Sequence, residues 1–361
     1  MKIVDIISPA YEEVDNIEDL VASIEQALLT DAFCFNLYIV DDNSDDGTVE
    51  VVEKLNREWV HLIVRTEGRG LSPAVIVGLN ASQAEFKIVM DADLSHPATA
   101  IPKMIDELEK GADFVVGSRY IEDGSTDDDW GFFRWVNSKI ATLLARPLTY
   151  IKDPMSGFFA IKAATYENAA YLNPIGYKIG LELIVKARCK KVVEVPIHFT
   201  DRVKGETKLS LKEQLKYIQH LRRLYIFKYG SLTEMFHFAV VGGSGVVVNL
   251  AVFTLMLQLG MGKEISILSG IIISVISNFL LNRRFTFSYA KNSCLLKSFI
   301  TYSSSVTVGA IVNYFVTLFM LESFPELLPQ FSAAAGIVFG MLFNFVALKY
   351  LVFKKSQFKA K

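Results

Sequence analysis

Two carboxylates two residues apart, Asp91 and Asp93 in DADLSHP (Asp91 to Pro97), follow the apolar run FKIVM. Acids at i and i+2 on a strand end reach the same side of an edge loop and supply the hard oxygen ligands that Mg²⁺ or Mn²⁺ takes. A cation held there neutralises a nucleotide diphosphate, the leaving group of a sugar nucleotide. Alone, D-x-D describes a solvated turn. It gains weight here because polar, acidic segments also close two other apolar runs, SPAYEE (Ser8 to Glu13) and DDNSDDGT (Asp41 to Thr48). Ordinary turn and capping chemistry would account for Asp42, Asn43 and Ser44, and Asp46 and Thr48 could serve it too, while a structural hydrogen bond would account for the turn histidine His96.

The elements that position these groups alternate along residues 1 to 117. KIVDIIS precedes a helical segment from Asp15 to Leu29, LYIVD one from Thr48 to Glu58, HLIVR one from Ser72 to Ser82, and FKIVMD one from Thr99 to Glu109, before DFVVGS. Strands alternating with helices of that length predict a parallel α/β sheet with right-handed crossovers. Ligands of such sheets bind at the carboxyl ends of the strands, where the polar clusters fall, including GSRY (Gly117 to Tyr120) after the fifth. No G-x-G-x-x-G follows the first strand, GRGLSP (Gly68 to Pro73) lacks its third glycine, and no G-x-x-x-x-G-K-[ST] occurs, which disfavours a dinucleotide fold and a P-loop kinase.

A net charge of -2 over 361 residues conceals a sharp division. Of the 76 charged residues, 62 lie in residues 1 to 233 and ten in residues 234 to 353. The first part carries net -8 and the remainder net +6. Stretches of 28, 18, 24 and 22 residues without Asp, Glu, Lys or Arg cover 235–262, 265–282, 298–321 and 327–348. Roughly 20 apolar residues cross the hydrocarbon core, so a four-span all-α membrane domain is expected. If both ends are cytoplasmic, the inner side receives Arg283, Arg284, Lys291, Lys297, Lys349, Lys354, Lys355, Lys359 and Lys361, and the outer loops only Lys263, the positive-inside pattern. Lys2 is followed by a short apolar run broken by Asp5, so no secretory leader is expected and the first half should be cytosolic. Cys34, Cys189 and Cys294 form no C-x-x-C pair, and an acidic first half without a basic stripe argues against nucleic acid.

The spans read as two copies of a helical hairpin. VVNLAVFTLM, ending at Met256, pairs with IVNYFVTLFM, ending at Met320, and SNFLLNRRFTF (Ser277 to Phe287) with FNFVALKYLVF (Phe343 to Phe353), at offsets of 64 and 66 residues. Asn249 thereby matches Asn313 and Asn278 matches Asn344, while Gly242, Gly243, Gly245, Gly336 and Gly340 permit close helix packing. Two further segments, Trp130 to Ile151 and Ser210 to Tyr229, mix aromatic and aliphatic residues with Lys and Arg in the manner of interfacial helices. The organisation expected is a cytosolic domain over 1–207, an interfacial helix over 208–233 and a membrane domain over 234–361.

SPAYEE, DDNSDDGT, GLSPAV (Gly70 to Val75), DADLSHP, GSRY, DPMSGFF (Asp153 to Phe159) and DRVKGETKLS (Asp201 to Ser210) occur in the order found in glycosyltransferase family 2. In them the chain most resembles the dolichol-phosphate or polyprenol-phosphate mannose synthases, with a GT-A fold, and residues 234–361 resemble the GtrA family of four-helix membrane domains. The resemblance implies transfer of mannose, with inversion, from GDP-mannose to dolichyl or polyprenyl phosphate, with Mg²⁺ or Mn²⁺. It implies a nucleotide pocket of Pro9, Ala10, Tyr11, Glu13, Val40, Asp41, Asp42 and Asp91. Asp91 and Asp93 would hold the metal, with Ser95 where many relatives carry Gln as a possible third ligand. Arg119, Arg134, Ser138, Arg202 and Lys208 would hold the acceptor phosphate, Arg119 and Arg202 counting with Asp91 and Asp93 as catalytic, and Asp153 and Ser156 would stand near the sugar or acceptor. A UDP-glucose or UDP-N-acetylhexosamine transferase acting on undecaprenyl phosphate shares these features, and a lipid-sugar flippase is a further alternative. A processive synthase is disfavoured because FFRW (Phe132 to Trp135) lacks the glutamine of Q-x-x-R-W, and a nucleotidyltransferase because it needs no spans.

Overall fold

The computed structural model describes residues 2–30, 32–127, 132–200, 211–287, 294–326 and 329–352. They form two compact units, Met1–Lys228 and Tyr229–Lys361. In the first, the elements are β1 (Lys2–Ala10), α1 (Ile17–Leu28), β2 (Phe33–Asp41), α2 (Thr48–Leu55), β3 (Val60–Val64), α3 (Leu71–Ala81), β4 (Phe86–Val89), α4 (Ile101–Glu109), β5 (Phe114–Ser118), β6 (Ser125–Thr126), α5 (Phe132–Ala145), β7 (Phe159–Lys162), α6 (Ala163–Glu167), α7 (Ile179–Lys186), β8 (Val192–Pro196), β9 (His198–Phe199) and α8 (Leu211–Tyr229). Seven strands make one sheet in the order β3-β2-β1-β4-β7-β5-β8, with β6 and β9 paired apart.

The helices bury their apolar stripes on both sheet faces, as a mostly parallel sheet requires. Ile17, Leu20, Ile24, Met104, Ile105 and Leu108 of α1 and α4 meet Val4, Ile6, Ile39 and Ile88. On the opposite face Val75 and Leu79 of α3 and Leu183 and Ile184 of α7 meet Ile7, Val40, Val89, Phe114 and Phe159.

The expected parallel sheet needs one amendment. β7 runs antiparallel to both β4 and β5, with Val89 opposite Phe159 and Val116 opposite the same residue. Reversing that strand brings its entry, the DPMSG loop, to the edge where β4 delivers Asp91 and β5 delivers Arg119.

The second unit contains α9 (Ser231–Gln258), α10 (Lys263–Leu281), α11 (Leu295–Ser323) and α12 (Pro329–Ala347), packed chiefly as α9 on α10 and α11 on α12. Three apolar stretches, Ser231–Gln258, Leu295–Ser323 and Ala335–Val352, are long enough to cross a membrane. α10 and α12 each run into a π-helical turn, starting at Asn282 and Leu348, 66 residues apart. Each hairpin also closes on glycine. A Cβ on Gly245 would strike the Asn278 amide and one on Gly309 the Asn344 amide, while a Cβ on Gly270 would lie 2.9 Å from the Asn249 carbonyl oxygen and one on Gly340 2.7 Å from that of Gly309.

Gly340→Ala should therefore lower the unfolding temperature of the full chain in detergent. Overpacking against backbone costs about 1–3 kcal/mol, more than the roughly 1 kcal/mol of helix propensity gained. Gly243→Ala, with nothing within 4 Å of the added carbon, should leave that temperature unchanged or raise it.

Candidate active site

Loops at the carboxyl edge of the sheet enclose a cavity of about 880 Å³. At one end the turn after β1 carries Pro9, Ala10, Tyr11 and Glu13. This turn is tied to the loop after β2: the N–H groups of Glu12, Glu13 and Val14 donate to Ser44 Oγ at 2.9 Å, Thr48 Oγ1 at 3.3 Å and Asp46 Oδ2 at 3.1 Å. Asp42 faces the cavity, pairs with Arg65 and accepts from the Gly70 N–H at 2.7 Å. Arg69 closes that end, its guanidinium 5.1 Å from the Tyr11 ring centroid.

The middle is built around Asp91 and Asp93. Asp93 Oδ1 accepts from the Ser95 N–H at 3.1 Å and the Ser95 hydroxyl at 2.6 Å. The Asp91 N–H donates to His96 Nδ1 at 3.0 Å, and the His96 ring stacks on Phe158 at 5.1 Å. Burial pulls the His96 pKa down, so this imidazole is a neutral prop. Gly157 packs beside Asp91, where a Cβ would make ordinary contact 3.5 Å from Oδ2, and the open space next to the two carboxylates is the cavity that both line. Among the described residues no three His, Cys, Asp or Glu gather into a closed cage. Two carboxylates beside open space suit a cation that completes its shell with water and substrate phosphates, as Mg²⁺ does.

Arg119 leaves β5 and turns onto the DPMSG loop. Its Nε donates to Asp153 Oδ2 at 2.7 Å, its Nη2 to Oδ1 at 2.8 Å and its backbone N–H to Oδ2 at 3.1 Å. Asp153 is wholly buried and Arg119 is 11% exposed. Burial opposes the guanidinium's charge, but the Asp153 bonds outweigh it and its pKa rises. Glu194 of β8 fixes the loop's start by accepting from the Lys152 and Asp153 N–H groups at 2.9 and 3.0 Å. The far wall carries an apolar patch, Ile140, Ala141 and Leu144 of α5 with Ile218 of α8, Met155 and Ile175, set among the polar Asn137, Ser138, Glu213, Gln214 and Tyr217.

Residues 5–167 match the model of glycosyl transferase family 2, and residues 237–360 that of the GtrA/DPMS transmembrane domain. A dolichol-phosphate mannosyltransferase of Pyrococcus furiosus is 36% identical over 323 residues, 88% of this chain and 90% of that one. The chain belongs to glycosyltransferase family 2. Dolichol-phosphate mannosyltransferases of Saccharomyces cerevisiae and Mycosarcoma maydis are each 41% identical, over 63% and 64% of this chain and 88% and 82% of theirs. This family 2 member is an enzyme with a GT-A-like α/β domain, followed by a helical membrane domain.

Of the residues expected from sequence to serve family 2 chemistry, Pro9, Ala10, Tyr11, Glu13, Asp42, Asp91, Asp93, Arg119, Ser138 and Ser156 line this one cavity. Three do not. The Val40 side chain is wholly buried beneath α3. Asp41 is also fully buried, its carboxylate accepting from the Ser44 N–H at 2.8 Å and the Ser44 hydroxyl at 2.6 Å, so it shapes the loop. Ser95 is 1% exposed, and its hydroxyl donates to Asp93 Oδ1 at 2.6 Å. Arg202 and Lys208 lie outside the described residues, as does the Arg134 side chain on α5. Sequence reasoning missed Arg69 and Lys178, which also line the cavity. GRGLSP gave a signal for the first; nothing marked the second.

Proposed function

We propose that this enzyme transfers mannose from GDP-mannose to dolichyl or another polyprenyl phosphate, with inversion, giving β-linked polyprenyl-phosphate mannose and GDP. The observation that carries this reading is the continuity of one cavity from polar groups at Tyr11 and Asp42, past two carboxylates, to a mixed wall on α5 and α8 with an apolar patch at Ile140, Ala141, Leu144 and Ile218. A water-soluble nucleotide suits the first end and an isoprenoid chain the second. The three relatives, all named for mannosyl transfer to dolichol phosphate, favour mannose and that acceptor.

Asp91 and Asp93 would hold Mg²⁺ or Mn²⁺, which when bound neutralises the leaving diphosphate. Tyr11 and Asp42 hold the nucleoside, the carboxylate accepting from ring N–H or ribose hydroxyls. A phosphate monoester is largely dianionic at neutral pH, its second pKa being about 6, so attack on the anomeric carbon requires no strong general base. The Asp153 contacts agree, since both its oxygens serve Arg119. Arg119 orients the DPMSG loop and adds positive field beside the reacting phosphate. In the same reading four spans anchor the chain with both ends cytoplasmic, α5 and α8 lie at the membrane surface, and residues 208–233 lead into the first span. Ile140, Leu143, Leu215 and Ile218 on those two helices are exposed, as lipid contact would demand.

Membranes containing the chain, incubated with Mg²⁺ or Mn²⁺ and dolichyl or undecaprenyl phosphate, should form a labelled lipid from GDP-mannose and not from UDP-glucose or UDP-N-acetylglucosamine. Product from a UDP-sugar alone would replace the donor assignment, and no product from any pair would remove the transferase reading.

A further inference from the structure

Lys178 stands at the entry to α7 and lines the cavity. Its ammonium donates to the Met155 carbonyl oxygen at 3.0 Å, its one hydrogen bond among the described residues, and none of their carboxylates lies within ion-pair distance. An ammonium carries three donors, so two remain for whatever fills the cavity. Burial, then the nearby Arg119 charge, pulls its pKa down to about 8, which still leaves it cationic at neutral pH. A desolvated cation of this kind is costly until an anion joins it.

The surroundings select the anion. Lys178 follows a segment packed on α8: the Ile175 N–H donates to His220 Nδ1 at 3.3 Å, and a Cβ on Gly176 would lie 3.5 Å from Glu213 Oε2. On its other side, Met155 belongs to the loop whose Gly157 abuts Asp91. Lys178 therefore bridges from the acceptor wall to the reaction centre, on elements separate from those that carry Tyr11 and Asp42. The other cations lining the cavity among the described residues are engaged elsewhere, Arg119 with Asp153 and Arg69 with Tyr11 and the Asn43 carbonyl.

We propose that Lys178 binds the phosphate of the lipid acceptor, holding an oxygen of the monoester while Met155 fixes the amine's position. This assignment rests on the transferase reading above. The test uses the full chain in detergent with a short-chain polyprenyl phosphate as acceptor, comparing wild type, Lys178→Met and Lys178→Arg. Lys178→Met should raise the acceptor KM at least 30-fold and leave the affinity for GDP with Mg²⁺ within twofold, and Lys178→Arg should recover most of the loss. An equal loss of GDP affinity would assign the amine to the donor diphosphate instead. An unchanged acceptor KM with lower kcat would reduce it to a prop for the DPMSG loop. Equilibrium binding of the same lipid phosphate, compared with its uncharged alcohol, is read without turnover. A wild-type preference for the phosphate that Lys178→Met abolishes sustains the assignment even if every donor fails, and a preference that survives the substitution overturns it.

Discussion

Asp91→Asn should lower kcat by about three orders of magnitude while the catalytic unit melts as the wild type does. The amide keeps the shape of the carboxylate, and the bond to the His96 ring uses the backbone N–H of residue 91 and not its side chain, so the loop after β4 is undisturbed. What disappears is one negative charge of the Asp91 and Asp93 pair at the middle of the cavity. Losing one preorganised electrostatic partner of a developing charge ordinarily costs about 10²–10³ in rate, and weaker cation binding adds to that. Product formation is the measurement, with GDP binding followed at increasing Mg²⁺. The variant should need far more cation for the same occupancy, and chelation should bring wild type down to its level. Activity within tenfold of wild type would falsify the role given to this carboxylate.

The second large effect concerns Arg119 and Asp153. Breaking a buried pair by removing one partner costs about 3–5 kcal/mol, because a desolvated charge is left behind. Domains have about 5–15 kcal/mol in total, so Arg119→Met and Asp153→Asn should each markedly lower the unfolding temperature of the catalytic unit. The double variant Arg119→Met/Asp153→Asn leaves no orphan charge and should be more stable than additivity allows. Activity should follow a different order. All three variants should be nearly inactive, since the loop that delivers Ser156 and Gly157 has lost its anchor in each. Full activity with lowered stability would separate the pair from the chemistry.

Much of this was legible because the helical and strand periods differ and the first 117 residues keep to one or the other. β7 was not: four residues directly after DPMSG read as the tail of a motif, and nothing local says that the strand inserts between β4 and β5. The adjacent acids Asp41 and Asp42 show a finer limit. Composition makes them equivalent, but Asp41 is the last residue of β2, aligned with Ala10 in the sheet, and folds onto Ser44, while the next residue clears the strand and faces the cavity. Ser95 shows a similar limit, since its place in the motif suggests a ligand and only the fold reveals that its hydroxyl donates to Asp93. Lys178 could not be found because it reaches the site through packing of its segment on α8, a contact between residues 45 apart.

The glycine contacts of the membrane unit constrain how it can move. In each hairpin an asparagine amide fills the notch of a glycine on the partner helix, and a backbone carbonyl meets a second glycine, at Gly270 in one and Gly340 in the other. Such interlocking fixes the rotational phase of each helix against its neighbour, so neither can roll by a residue without driving a side chain into a backbone. Each hairpin is therefore a mechanical unit.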